Sequence, residues 1–166
     1  IETAEILKGI IERIKPDAVI AIDALAARRT SRINSVIQIA DSGISPGLGV
    51  GNKRMLLNEE SLGVPVIGIG VPTVVSAATL VNDSMERILS AMAEASNEKL
   101  FYNTLNNLGD EREALIAELL EPYAENMFVT PKEVDEVIER LAEIISNAIN
   151  IAVHPALTKE DINKYV

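Results

Sequence analysis

The chain has 166 residues, 48% of them apolar but only 3% aromatic, and a formal net charge of −10. That supply of Ile, Val, Leu and Ala suffices for one domain with a sizeable core and excludes a disordered chain, and the acidity argues against direct binding of nucleic acid. Cysteine is absent, so disulfides, thiolate metal sites and cysteine nucleophiles are excluded, a composition that fits a reducing interior.

The first residue is Ile1, not Met, and the chain is read as processed or as a fragment. Residues 4–14 predict a helix with Ile6, Leu7, Ile10, Ile11 and Ile14 on one face, Thr3 as its cap and Lys15-Pro16 as its end. Residues 17–23, DAVIAID, form a short apolar run without alternation, the pattern of a strand covered on both faces. It delivers Asp23 to the strand's C-terminal edge. One helical turn is expected over 24–29, a second strand over 35–40, a Gly-rich loop over 41–52 and a third strand over 64–71. Thr73 is read as the cap of a helix to about Ala93, and 94–109 as a connection. Helices over 110–120 and 131–150 follow, the second with Thr130 as cap, Pro131 in first position and Glu133 behind it. The tail from His154 is expected to be loosely held. Residues 61–82 carry no charge, but Gly63, Pro65, Gly68, Gly70 and Pro72 break that stretch. It reads as strand, turn and helix start, not as a membrane span. The sum is an α/β layered sheet with flanking helices and a helical C-terminal part.

Open α/β sheets place ligands outside the carboxyl ends of their strands. A carboxylate at that edge serves as an acid or base, or else caps the following turn. Arg28, Arg29 and Arg32 lie close enough in sequence to pair with Asp23. The glycines at 43, 47, 49 and 51 could present backbone N–H groups to an anion or a peptide, or could only form a tight loop. The segment is neither a Walker loop, because Arg54 follows Lys53, nor a dinucleotide fingerprint. The single histidine, His154, rules out a zinc site of several imidazoles and leaves no histidine triad near the strands. The acidic runs at 110–118 and 133–143 read as solvated helix faces. Catalysis by this chain would therefore rest on carboxylates. A carboxylate hydrolase needs two, one protonated and one activating water. Asp41, at the end of the second strand, is the candidate partner inside the chain, but nothing in the sequence pairs it with Asp23.

The run KPDAVIAIDALAARRTSRINSVIQIADSGISPGLGVGNKR, with LGVPVIGIGVPTVV and the later VTPKEVDEVIERLAEII, resembles the germination protease family of spore-forming bacteria. The resemblance covers almost the whole chain; 94–109 is a shortened stretch. It implies a fold similar to the hydrogenase-maturation proteases. It also implies an atypical aspartic endopeptidase, made as a zymogen, that degrades small acid-soluble spore proteins during germination. A homotetramer in the cytoplasm of the spore core, no cofactor and no metal are further implications, with no membrane or direct nucleic-acid partner. The AIDALAAR motif makes Asp23 one of two functional aspartates. The motif carrying the other is not in this chain, which starts about where the family's second half starts. The chain alone is therefore expected to be inactive. Arg28, Gly47, Gly49, Asn52 and Lys53 are assigned to the substrate cleft by neighbourhood. Two other readings stay open: an α/β module that holds an anion on the 43–51 loop without chemistry, and an assembly domain whose acidic helices are packing surfaces.

Overall fold

The computed structural model describes residues 3–47, 54–95, 99–124 and 127–161. They fall into two compact units, Ile1–Thr130 and Pro131–Val166.

In the first unit, helix α1 spans Thr3–Ile14 and ends where Lys15 takes a positive φ and donates its N–H to the Ile11 carbonyl. Ala4 and Ile11 are buried and Leu7 packs beside them. Ile6, Ile10 and Ile14, expected on the same inward face, are exposed. The inward stripe thus runs through 4, 7 and 11, at helical spacing.

Strand β1 runs from Val19 to Ala27 and pairs in parallel with β3, Val66–Ser76. It continues four residues past Asp23, where a helical turn was expected. Alanine favours helix locally, but Ala26 and Ala27 find ladder partners in Val74 and Val75 after a bulge at Leu25/Ala26. The 3-10 turn comes later, at Thr30–Arg32. Strand β2 is short, Gln38–Ala40, and antiparallel to β3 at Gly68–Gly70. Strand β4, Phe128–Val129, pairs antiparallel with Val75 and Ser76. β3 is therefore the central strand, which accounts for its uncharged, nearly continuous burial.

The core lies on one sheet face. Ala4 and Ile11 of α1, Ile44, Leu57, Leu62 and Val66 form it, with Val19, Ala21 and Leu25 of β1 packed against it. Each Ile, Leu or Val among them is worth roughly 1.5–3 kcal/mol when fully buried. The short helix α2, Glu59–Leu62, is held by a capping box between Asn58 and Ser61 and closed by left-handed Gly63. On the other sheet face Ile69 and Val71 of β3 are buried, but Ile20, Ile67, Ile22 and Ile39 are exposed, the last two by 55% and 71%. The expectation of a strand covered on both faces fails for β1. It is an edge strand whose outward isoleucines meet no covering layer among the described residues.

Helix α3 spans Ala77–Ala95. Its cap is Ser76, whose hydroxyl accepts the Thr79 N–H at 3.1 Å, and not Thr73. The β-branched run 73–75 stays in the strand instead. Helix α4, Lys99–Asn106, occupies part of the expected connection, and α5 spans Gly109–Ala124. Arg112 of α5, only 8% exposed, ties the three together: its Nε donates to Asn82 Oδ1 at 2.8 Å and its Nη1 to Asn106 Oδ1 at 3.3 Å.

The second unit is built on α6, Val134–Val153, with Glu133 at its cap position. Thr130, expected to cap it, donates its hydroxyl to the Thr73 carbonyl in the first unit's own sheet. The described part of the tail holds turns of its own, with the Thr158 N–H and hydroxyl both on Asp161. No described helix is long and apolar enough to cross a membrane.

Candidate functional site

Asp23 sits at the middle of β1, half-buried, level with Gly70 of β3, which is in turn level with Gln38 of β2. Side chains alternate along a strand, so Asp23 shares the core face with Ala21 and Leu25. On that face the chain after β2 folds back over the sheet. It is pinned by the antiparallel bridge between Ile44 and Leu57, with N–H···O bonds of 3.0 and 2.8 Å. Two glycines permit the approach. A Cβ on Gly68 would lie 2.8 Å from the Gly43 carbonyl oxygen and 2.9 Å from Ile44 Cβ. Gly43 itself has φ of 89°, and a Cβ there would strike the Leu57 carbonyl oxygen. With the loop lying this close, the Gly47 N–H donates to Asp23 Oδ2 at 3.3 Å.

Gly47 also lines a cavity of about 640 Å³ at the carboxyl ends of the parallel pair. Its other walls are the β1 exit from Ala24 to Arg28, then Arg32, Gln38, Gly43 to Ser45, Pro72, Ser76, Thr79 and Glu113. Asp23 thus stands one residue below the cavity floor, attached to its wall through Gly47. This is the sheet edge where ligands of open α/β folds bind. Asp23 Oδ1 has no hydrogen-bond partner among the described residues. A carboxylate steadied through one oxygen keeps the lone pairs of the other for a water or a substrate proton.

Of the residues expected at the site, Asp23 bonds to Gly47, and Gly47 and Arg28 line one cavity, whose lining does not include Asp23. Gly49, Asn52 and Lys53 lie outside the described residues. None of Arg28, Arg29 and Arg32 forms an ion pair with Asp23; Arg29 pairs with Glu86 at 3.4 Å. Asp23 caps no following turn either, since its bond runs to the 43–47 segment. Asp41 is not its partner. It is exposed and follows Ala40, which is level with Gly68, whereas Asp23 is level with Gly70. That puts Asp41 three register positions away, about 10 Å along the strands, and across β3. Sequence reasoning considered Arg32 only as an ion-pair partner of Asp23, and it missed Gln38 and Glu113. Glu113 looked like part of a solvated helix face, and no local signal marks the turn of α5 that meets the cavity.

A half-buried carboxylate in the middle of a parallel strand, and not at its end as expected, joined through Gly47 to a cavity at the carboxyl ends of the pair, defines an α/β protein of the sheet-edge-site class. A family profile described as germination protease matches residues 1–103 and 90–166. The chain is 54% identical to the germination protease of Clostridium perfringens (strain SM101 / Type A) over 168 positions, covering 100% of this chain and 52% of that protein. It is 55% identical to the germination protease of Clostridium tetani over 168 positions, again 100% and 52%. With that of Bacillus subtilis (strain 168) the identity is 42% over 197 positions, 99% of this chain and 54% of that protein. The chain belongs to the germination protease family, and it spans about half the length of the curated relatives it matches.

Proposed function

We propose that this chain carries one half of the active site of an atypical aspartic endopeptidase that degrades small acid-soluble spore proteins during germination. Asp23 is one of two aspartates, and the second is supplied from outside these residues. The observation that carries the reading is the placement of Asp23: on the sheet, half-buried, bonded to Gly47 at the wall of a cavity open at the carboxyl ends of β1 and β3. In the mechanism, Asp23 and its partner share a proton, because two nearby carboxyls do not both ionise readily. The ionised one takes a proton from water, which attacks the peptide carbonyl, and the protonated one donates to the departing amine. Arg28 contacts the bound peptide.

Three features support the missing-partner reading. No described carboxyl group is hydrogen-bonded to Asp23. The chain spans 52% of its Clostridium relatives. The exposed isoleucines at 20, 22, 39 and 67 leave part of one sheet face without cover among the described residues, as expected where further chain completes the layer. Maturation from a zymogen, assembly as a homotetramer and residence in the spore core belong to the same proposal.

The test uses a protein of the relatives' full length and a purified small acid-soluble spore protein. Asp23→Asn should lower kcat by about a thousandfold or more, as loss of a central catalytic group does. The 166-residue chain alone should not cleave. A full-length Asp23→Asn enzyme working at the parent rate overturns the assignment.

A further inference from the structure

We propose that Asp83 is a positioning residue for the cationic wall of the cavity: it anchors the turn that carries Arg28 and Arg32, and through them sets how a peptide seats beside Asp23. The inference rests on the peptidase reading above.

Arg28 and Arg32 both line the cavity, where Glu113 is the other charged group among the described residues. Both arginines are exposed, and neither forms an ion pair with a described residue. Long, mobile side chains of this kind are placed by their backbone. That backbone is the turn leaving β1. Arg32 N–H bonds back to the Arg29 carbonyl at 3.0 Å, and Asn34 N–H reaches the Pro72 carbonyl of β3 at 2.7 Å. Between them, Thr30 donates both its N–H and its hydroxyl to Asp83 Oδ2, at 2.7 and 2.8 Å.

Asp83 is 9% exposed and lies inside α3. Aspartate is a poor interior helix residue, and a buried carboxylate is unfavourable unless donors satisfy it. Here both donors come from one residue of the arginine turn. Bonds to a charged acceptor are the stronger kind, and two on one oxygen fix Thr30 in orientation as well as in distance. One helical turn on, Glu86 pairs with Arg29, but that arginine side chain is 63% exposed, so the pair adds little. The anchor is Asp83.

The test uses the full-length enzyme, a peptide spanning a cleavage site of a small acid-soluble spore protein, and the Asp83→Ala and Asp83→Asn variants. Asp83→Ala should raise KM about tenfold with kcat within about twofold, the split expected when binding alone is lost. Asp83→Asn keeps an acceptor oxygen and should recover most of the KM. In an Asp23→Asn background, adding Asp83→Ala should weaken peptide binding by a similar factor, a readout that needs no turnover. Should Asp83→Ala fail to fold, Thr30→Val removes only the hydroxyl donor and should raise KM by about threefold. An unchanged KM and peptide Kd in a folded variant overturns the proposal, as does a fall in kcat alone. Full activity of Asp23→Asn would instead overturn the peptidase reading, and the binding arm would still decide the role of Asp83.

Discussion

Asp23 and Gly47, 24 residues apart in sequence, are joined by a single hydrogen bond of 3.3 Å from the glycine N–H to the carboxylate. The bond links the strand that carries the carboxylate to the loop that walls the cavity. The same N–H is therefore taken up by the carboxylate, while Gly49 and Gly51 of the glycine loop lie outside the described residues. At this length the bond is weak, near the long limit for N–H···O. Asp23→Ala should accelerate amide hydrogen exchange at Gly47 by about threefold, with the central strand's amides unchanged. Equal exchange at Gly47 in both proteins would show that the bond does not hold the loop.

The closeness of the loop to the sheet can be tested at Gly68. Gly68→Ala places a methyl 2.8 Å from the Gly43 carbonyl oxygen. Both sides of that contact are backbone or Ile44, so neither can yield without moving the loop. Destabilisation of about 1–3 kcal/mol is expected in urea unfolding, the usual range for overpacking. A variant as stable as the parent would mean that the segment from Gly43 stands further from β3.

Arg112 is buried and, among the described residues, has only the neutral oxygens of Asn82 and Asn106 as hydrogen-bond partners. Arg112→Met keeps much of the bulk and leaves both carbonyl oxygens without that donor. Loss of about 1–3 kcal/mol is expected, read as a lower melting temperature. The exchange of amides in α4 and α5 should rise more than that in β1. A change below about 0.5 kcal/mol would mark Arg112 as no more than a surface residue.

The isoleucine face gives a prediction of the opposite sign. In the 166-residue chain, Ile22→Lys and Ile39→Lys should each change unfolding free energy by about 0.5 kcal/mol or less, because both side chains are already in water. Self-association and binding of hydrophobic dye should fall, as for other exposed apolar patches. A cost near that of a fully buried side chain, roughly 1.5–3 kcal/mol, would show the face to be covered.

Much of the architecture was legible because it is written in local periodicity. The apolar, uncharged run over 64–71 reads as a strand, close to the start of β3, and the apolar periodicity of 4–14 and 131–150 reads as helices close to α1 and α6. The failures are those of tertiary override. ALAA after Asp23 has helical propensity but continues β1 because Val74 and Val75 offer ladder partners. Thr73 and Thr130 both look like helix caps. Instead Thr73 lies within β3, and the Thr130 hydroxyl bonds to the Thr73 carbonyl. Only at Ser76 does a hydroxyl reach the N–H that a cap must satisfy.

By itself the sequence determined the α/β class, the long resemblance that runs through the Asp23 carboxylate, and the exclusion of cysteine chemistry and of a zinc site of several imidazoles. Only the tertiary structure decided what stands around that carboxylate. Register put Gly70 and not Asp41 level with it. The close approach at Gly68 brought Gly47 within reach, and Asp83 fixed the turn bearing Arg28 and Arg32. The division has a physical cause. Period and propensity are properties of neighbouring residues, whereas the Gly47–Asp23 and Thr30–Asp83 bonds join segments 24 and 53 residues apart, and nothing local specifies which of many such closures the packed sheet selects.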